Sequence, residues 1–270
     1  MTGSPSRPVL AHDRAGSGQP LMLLHGLGSA RTTWLPLLPE LVRRYDVLAV
    51  DLPGHGGSTP LPRTEPATPR RLARTVATLL DQLGLDRVHV MGNSLGGWVG
   101  LELAASGRAR SVVGLAPAGL WLVPGTRRNP LLQFNRMLAA STRAVHPLVL
   151  RSTTIRRIAM SSGSAWPGEV SYQTALDAAT AQADAPGYLA ALDGTLGNRF
   201  DRAGEIGDEV PVTAVFGDRD RILPGPLLQE RSLLPAHARW VLMSHCGHAP
   251  QWDAPGAVLR ELGRTTRQAR

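Results

Sequence analysis

Apolar residues recur along the chain in short runs, several of which show no alternation with polar residues. Runs of this kind are typical of strands that are buried on both faces of a parallel sheet. The pattern therefore predicts strands at residues 9–12, 21–24, 47–50, 88–91, 112–115, 212–216 and 240–243.

Segments with helical periodicity separate most of these runs. They span residues 34–44, 70–83, 95–105 and 255–264. Because alternating strands and helices cover both faces of a sheet, the chain is predicted to form a doubly wound, mostly parallel α/β sheet.

The alternation stops between about residues 119 and 208, where helical patterns follow one another without intervening strands. Since an apolar run resumes at residue 212, we interpret this segment as an inserted helical lid rather than a separate helical domain. The lid helices are predicted at residues 131–145, 148–160, 171–183 and 188–196. The predicted organisation is an α/β core at residues 1–118 and 209–270, interrupted by a lid at residues 119–208.

Composition agrees with a globular protein of one large domain, or of a core with an insertion. The chain has 270 residues, of which 43% are hydrophobic and 19% charged. No continuous apolar segment follows the basic residues of the N-terminus, and no stretch approaches the length of a membrane span. The single cysteine, Cys246, cannot form an internal disulfide, which fits a reducing compartment. We expect a cytoplasmic protein.

The formal net charge of +8 raises the question of nucleic-acid binding. All 29 basic residues are arginines, and they are spread in ones and twos instead of forming a long tract. Zinc-finger spacing and aromatic RNA-binding signatures are absent from the sequence. We expect no nucleic-acid partner, whereas the charge leaves an acidic protein partner open.

A serine lies among glycines where a predicted strand passes into a predicted helix. Gly92, Ser94 and Gly96 fit the pattern G-x-S-x-G between the strand at residues 88–91 and the helix at residues 95–105. Two interpretations differ in what the glycines do: they are ordinary turn residues, or they make room for a strained, exposed nucleophile. The strand-to-helix context favours the second, with Ser94 as the nucleophile.

A serine hydroxyl needs a base to take its proton and a third group to orient that base. In the G-x-S-x-G architecture the carboxylate follows the serine along the chain and the histidine comes last. Asp218 and Asp220 follow the run at residues 212–216, and His245 and His248 follow the run at residues 240–243. Each pair therefore offers two candidates.

Taken together, these motifs resemble those of the α/β-hydrolase family, in its lid-bearing subgroup of serine hydrolases. The resemblance covers nearly the whole chain except the lid, and it implies the α/β-hydrolase fold. It rests on five motifs in the family's order: H-G-L-G at residues 25–28, D-L-P-G-H-G-G-S at 51–58, G-N-S-L-G-G at 92–97, G-D-R-D at 217–220 and C-G-H-A-P at 246–250.

By this resemblance the catalytic acid is Asp220 rather than Asp218, and the base is His248 rather than His245. Acyl transfer also needs two N–H groups to stabilise the oxyanion. The backbone N–H of Leu95, directly after the nucleophile, is one candidate, and the resemblance implies the backbone N–H of Leu27 as the second.

Asp51 and His55 are also candidates for catalysis or metal binding, but in the resembling family their segment is a structural turn. The sequence contains no H-E-x-x-H, no paired cysteines and no P-loop lysine. We therefore expect no metal and no organic cofactor. The lid should supply an apolar substrate pocket, for which the candidate lining residues are Trp121, Phe134, Met137, Met160, Trp166 and Tyr188.

The resulting hypothesis is a serine hydrolase that cleaves a carboxylic ester or thioester of a small, apolar substrate through an acyl-enzyme. The alternative on the same fold is hydrolysis of carbon–carbon bonds in ring-cleavage products, because Q-W-D at residues 251–253 resembles the Q-W-E of that group. A cofactor-free perhydrolase, a biosynthetic lyase or cyclase, and a ligand-binding receptor are further alternatives. Epoxide hydrolases and haloalkane dehalogenases share the fold but use aspartate at the position of Ser94.

Overall fold

The computed structural model describes residues 9–62, 66–125, 130–223 and 229–269. The outermost parts of the predicted core, residues 1–8 and residue 270, lie outside the described residues. Within the described part, no helix is long and apolar enough to cross a membrane.

A seven-stranded sheet with the order β1-β3-β2-β4-β5-β6-β7 forms the centre of the molecule. Only β1 runs antiparallel, and it pairs with β3 at the edge of the sheet. The fold is therefore the predicted α/β-hydrolase fold with a mostly parallel sheet. The strands are β1 (His12–Gly16), β2 (Gln19–Leu24), β3 (Tyr45–Val50), β4 (Val88–Asn93), β5 (Ala109–Leu115), β6 (Val212–Gly217) and β7 (Arg239–Met243).

The first strand is displaced from its predicted position at residues 9–12. The β1 ladder begins at His12, opposite Val50, and its remaining residues are exposed. An edge strand with solvated side chains has no apolar run, so hydrophobic pattern alone could not find it. The apolar Leu10 is buried just before the strand begins.

Helices cover both faces of the sheet. On one face, α2 (Pro69–Gln82) and α3 (Leu95–Ala105) pack on Met22 and Leu24 of β2. On the other face, α1 (Leu38–Leu41) and α10 (Pro255–Thr266) pack near Leu21 and Leu23. Successive side chains of a strand point to opposite faces, which explains why both sides of β2 are apolar. A further short helix, α9 (Pro250–Asp253), precedes α10.

The helix predicted at residues 34–44 is broken into a 3-10 turn at Arg31–Trp34 and the short α1. Pro36 and Pro39 both lie within the predicted span, and proline has no backbone N–H to donate to a preceding carbonyl. The prediction was wrong in extent, because apolar spacing alone indicates one continuous helix and does not register the two prolines that interrupt it.

Between β5 and β6 the structure describes five α-helices. They are α4 (Pro130–Thr142), α5 (His146–Val149), α6 (Thr153–Met160), α7 (Tyr172–Ala183) and α8 (Tyr188–Thr195). We call residues 119–208 the helical insertion. Within it, α4, α5 and α6 all pack against α7, which in turn packs against the turn at residues 31–34 of the core.

Candidate active site

Ser94 connects β4 to α3 with a backbone conformation that L-residues rarely adopt, φ 52° and ψ −115°. Such a conformation costs on the order of 1–3 kcal/mol and persists only where the surroundings enforce it. Here the Ser94 N–H donates to the carbonyl of Leu115 at 2.9 Å, and the Ser94 carbonyl accepts from Ala118 N at 3.0 Å. Backbone bonds to the segment after β5 therefore hold the serine in its strained turn.

The glycines around Ser94 are required by space. A Cβ on Gly92 would overlap the carbonyl of Gly96, and a Cβ on Gly96 would overlap the carbonyl of Leu24. The positions two before and two after the serine thus approach each other closely, as the motif predicts. Their contact supports the interpretation that the glycines admit a sharp turn at Ser94.

Asp220 and His248 come together from two different loops, one after β6 and one after β7. The two side chains are buried, and Nδ1 of His248 lies 2.8 Å from Oδ2 of Asp220. The other carboxylate oxygen, Oδ1, accepts from the backbone N–H groups of Ile222 and Leu223, each at 2.8 Å. Since a carboxylate only accepts, Nδ1 carries the proton of the imidazole and Nε2 is left as an acceptor.

The competing pair, Asp218 and His245, lies outside this arrangement. Asp218 is exposed and accepts from the N–H of Cys246 at 3.2 Å. His245 lies with its Nδ1 2.7 Å from a guanidinium nitrogen of Arg219. Both residues therefore support the loop that carries His248.

Two residues that the sequence did not single out for this role hold the histidine loop in place. Asn93 donates through Nδ2 to the carbonyl of His248 at 2.9 Å. Asp253 accepts from the N–H of Gly247 at 2.6 Å and from the N–H of Ala165 at 2.9 Å, which ties this loop to the helical insertion. The sequence signals for these residues are weak: Asn93 lies directly before the nucleophile, and Asp253 ends the Q-W-D segment.

Ser94 and His248 line one cavity of about 520 Å³. Within the described residues, no hydrogen bond joins the Ser94 hydroxyl to His248. The structure therefore pairs the acid with the base and places the serine in the same cavity. Proton transfer between Ser94 and His248 requires a contact that is not formed here, and catalytic hydrogen bonds often tighten only when substrate is bound.

Leu27 and Leu95, the two residues predicted to supply the oxyanion donors, both line this cavity. The N–H of Leu95 opens α3 and so has no acceptor within the helix. Gly26 brings the neighbouring loop close, since a Cβ at Gly26 would lie 3.2 Å from the Cβ of Ser94. Leu27 and Leu95 thus share the cavity with the nucleophile candidate, and the role of their N–H groups stays a prediction.

The loop that carries Leu27 is held by buried polar residues. His25 accepts from the N–H of Leu52 at 2.9 Å, and burial lowers the pKa of His25, so its imidazole is neutral. Burial likewise lowers the pKa of His55 to about 3. Asp51 forms an ion pair with Arg31 at this point of the fold. These observations agree with the structural role expected for Asp51 and His55.

Three of the six predicted pocket residues line the cavity, namely Trp121, Met160 and Tyr188. The other three, Phe134, Met137 and Trp166, lie outside it. Phe134 and Met137 project from α4 into solvent. The indole N–H of Trp166 donates to the carbonyl of His245, and its ring lies under the Arg219 guanidinium. A helical pattern indicates which residues share a face but not which way that face turns.

The described lining of the cavity is mostly apolar. Within the described part of the chain, its titratable side chains are His248 and Tyr188, and no aspartate, glutamate or arginine faces it. Apolar residues that the sequence did not suggest complete the lining: Leu192, Leu196, Ile222, Leu223 and Trp252. No group of His, Cys, Asp and Glu side chains suited to a metal ion occurs among the residues that the structure describes.

The fold and the site together define the class of protein. The chain belongs to the alpha/beta hydrolase family, whose model matches residues 21–261. It is 34% identical over 197 residues to the epoxide hydrolase EphH of Mycobacterium tuberculosis, an alignment that covers 69% of this chain and 89% of that protein. It is also 34% identical over 251 residues to a pimeloyl-[acyl-carrier protein] methyl ester esterase of Aeromonas hydrophila, covering 88% and 91% of the two chains.

Solved structures show the same fold. The esterase of Thermogutta terrifontis, solved with malate bound, superposes with a TM-score of 0.73 at 22% identity and covers 98% of this chain and 96% of its own. An identity this low supports the fold alone. The relatives hydrolyse different kinds of bond, so the bond that this protein cleaves has to be argued from its own residues.

Proposed function

We propose that the protein is a serine hydrolase that cleaves a carboxylic ester or thioester of a small, apolar, uncharged substrate through an acyl-enzyme. The observation that carries the proposal is that His248, which is paired with the buried Asp220, lines the same cavity as Ser94, which lies in a strained strand-to-helix turn. This combination supplies a base, a group that orients the base, and a hydroxyl nucleophile.

In the acylation step, Oγ of Ser94 attacks the carbonyl carbon of the substrate while Nε2 of His248 takes the hydroxyl proton. Asp220 holds the imidazole with Nδ1–H directed at its carboxylate and stabilises the imidazolium that forms. The carbonyl oxygen becomes an oxyanion, and the backbone N–H groups of Leu27 and Leu95 stabilise this charge. Collapse of the intermediate breaks the bond to the leaving group, which receives the proton from His248.

In the second step, His248 deprotonates a water molecule that attacks the acyl carbon. The intermediate collapses by breaking the bond to Oγ of Ser94, and the proton returns to the serine oxygen. The products are a carboxylic acid and the alcohol or thiol of the leaving group. No group beyond the side chains and backbone named here is needed for the atoms and protons to balance.

The neutral lining favours uncharged substrates. Transfer of an unpaired carboxylate into an apolar cavity is costly, and no arginine among the described lining residues is available to pair with it. The products of aromatic ring cleavage carry such a carboxylate. The lining therefore disfavours carbon–carbon bond hydrolysis of these compounds relative to cleavage of a neutral ester.

Ser94 also argues against epoxide opening, despite the identity to EphH. An aspartate that opens an epoxide forms an ester, which water can hydrolyse in a second step. A serine would form an ether, which this site has no means to cleave. The buried Cys246 is unsuited as the nucleophile of an epoxide opening as well, because burial raises the pKa of its thiol to about 11.

The proposal is tested by reaction with a fluorophosphonate, followed by peptide mass spectrometry, together with hydrolysis of p-nitrophenyl esters of graded acyl length. We expect a single adduct on Ser94, turnover of the esters, and loss of both in Ser94→Ala. Ser141→Ala, which changes an exposed serine of the helical insertion, is the matched control and should keep both. Full turnover by Ser94→Ala would refute the assignment.

A further inference from the structure

Charge is distributed unevenly along the helical insertion. Residues 119–168 contain seven arginines and no aspartate or glutamate. Five of them lie in the described structure: Arg136 is on α4, Arg156 and Arg157 are on α6, and Arg143 and Arg151 precede and follow α5. This first part of the insertion is therefore strongly basic, whereas residues 169–208 contain seven acidic residues.

Most of the large apolar side chains that are exposed in the described structure lie in the same segment. Of the fourteen large hydrophobic residues exposed in the described structure, ten lie at residues 119–168. Three of them, Met137 on α4, Leu148 on α5 and Ile158 on α6, are 62%, 68% and 70% exposed. A concentration of exposed apolar groups in one segment marks an interaction surface rather than a scatter of single residues.

These side chains lie on three helices that pack against a common fourth helix. Helices α4, α5 and α6 all pack against α7, and α7 packs against the core. The side chains of α7 are mostly buried or half-buried beneath them. We call the exposed residues of α4, α5, α6 and the segments between them, within residues 134–158, the outer insertion surface.

The arginines of this surface differ in how they are paired. Arg143 forms an ion pair with Asp184, and Arg156 donates to the carbonyls of Leu150 and Arg151. Arg151 and Arg157 are exposed, and the described residues include no ion-pair partner for either. Both residues lie close in sequence to exposed aliphatic residues: Arg151 is three positions after Leu148, and Arg157 directly precedes Ile158.

We propose that the outer insertion surface docks on an anionic lipid bilayer. Aliphatic side chains on short helices can enter the boundary between headgroups and acyl chains, while arginines beside them remain at the level of the phosphates. The attraction is electrostatic as well as apolar, because anionic lipids concentrate basic groups at the surface. Binding by exposed apolar side chains and arginines together requires neither a transmembrane helix nor a deep groove for a protein partner.

Continuity with the cavity favours a lipid surface over an acidic protein. Ala159 and Met160 of α6 line the cavity, and Ala159 is also exposed, so the cavity reaches the surface beside Ile158. Leu122 and Val123 are likewise both exposed and part of the lining. An apolar molecule held in a bilayer could thus pass from the lipid into a neutral apolar cavity with little contact with water.

The test is co-sedimentation of the full chain with vesicles of phosphatidylcholine alone and of phosphatidylcholine with phosphatidylglycerol. We expect binding to the anionic vesicles that weakens as salt is added. Arg151→Glu/Arg157→Glu should reduce the partition coefficient by at least about fivefold for each arginine lost. Leu148→Ser/Ile158→Ser should reduce it at both low and physiological ionic strength, because the lost contribution is apolar.

Matched controls change the same chemistry elsewhere. Arg74→Glu/Arg260→Glu alters the net charge equally on α2 and α10, and Leu242→Ser removes an exposed aliphatic side chain from β7. These controls should bind as the unmodified protein does.

Three results would overturn the proposal: absence of binding to anionic vesicles at low salt, equal binding to phosphatidylcholine alone, or equal loss in the control variants. Ser94→Ala should bind vesicles normally, because docking uses a different surface from the proposed chemistry. Binding by an inactive Ser94→Ala protein therefore separates the two proposals. Circular dichroism and thermal melting of each variant show whether a loss of binding reflects misfolding.

Discussion

Replacing Asp220 by asparagine removes the negative charge of the pair with almost no change in volume. The structure determines how the new amide must lie. Oδ1 of Asp220 accepts from the N–H groups of Ile222 and Leu223, so the amide oxygen of an asparagine has to stay at that position. Its NH₂ group then faces Nδ1 of His248.

An NH₂ group cannot accept a hydrogen bond, so the imidazole has to present Nδ1 as an acceptor. Its proton moves to Nε2, where the proton of Ser94 would have to be received. The wrong tautomer and the lost charge stabilisation together should lower kcat by about 10⁴-fold, or about 5 kcal/mol of transition-state stabilisation. Oxyanion stabilisation and substrate binding would account for the remaining activity.

The assay is steady-state hydrolysis of a p-nitrophenyl ester by Asp220→Asn, with Asp218→Asn as the control. Asp218 is exposed and accepts only from the loop backbone, so its variant should keep most of its activity. KM should change little in either variant, because neither side chain belongs to the apolar lining. If Asp220→Asn retained more than a tenth of the original kcat, the assigned role of Asp220 would be wrong.

Further predictions concern the supports of the site. Gly92→Ala should destabilise the protein by about 3 kcal/mol or more, because its Cβ overlaps the Gly96 carbonyl. The control is Gly204→Ala, at a position where a Cβ has open space, and its thermal melting should be nearly unchanged. Asn93→Ala loses the bond to the carbonyl of His248 and should lower kcat by up to about 10²-fold; an unchanged kcat would show that the bond does not position the histidine. Stability should fall as the pH drops below about 6.5, because the unfolded chain then protonates His55 while the folded chain does not until about pH 3. This residue contributes about 2 kcal/mol of the loss between pH 6.5 and 5, and urea unfolding of His55→Asn should show a shallower dependence; an equal slope would refute the assignment.

The parts of the site that sequence could indicate are those fixed by local sterics and chain order. Gly92 and Gly96 are needed wherever a serine sits in this turn, and buried parallel strands end at the same edge of a sheet. The loops that carry Asp220 and His248 follow such strands, so their proximity could be expected from the motifs. The resemblance to the α/β-hydrolase family then distinguished these two residues from their neighbours.

The parts that sequence did not indicate depend on tertiary packing. The polar edge strand β1 is stabilised by its pairing with β3 and not by an apolar pattern. Phe134 and Met137 repeat at helical spacing, yet the packing of α4 against α7 turns them toward solvent. Asp253 joins the backbone N–H of the nearby Gly247 to that of Ala165 in the helical insertion, and no sequence spacing reports the second contact.

The central claim is that Ser94, His248 and Asp220 act as one proton-relay site with Leu27 and Leu95 as the oxyanion donors. A crystal structure of the covalent phosphonate adduct tests it most directly. We expect the phosphorus on Oγ of Ser94, the phosphoryl oxygen within hydrogen-bonding distance of both backbone N–H groups, and Nε2 of His248 directed at the adduct. An adduct on another residue would contradict the proposed mechanism. A phosphoryl oxygen that contacts neither N–H, while His248 points away from the adduct, would contradict it as well.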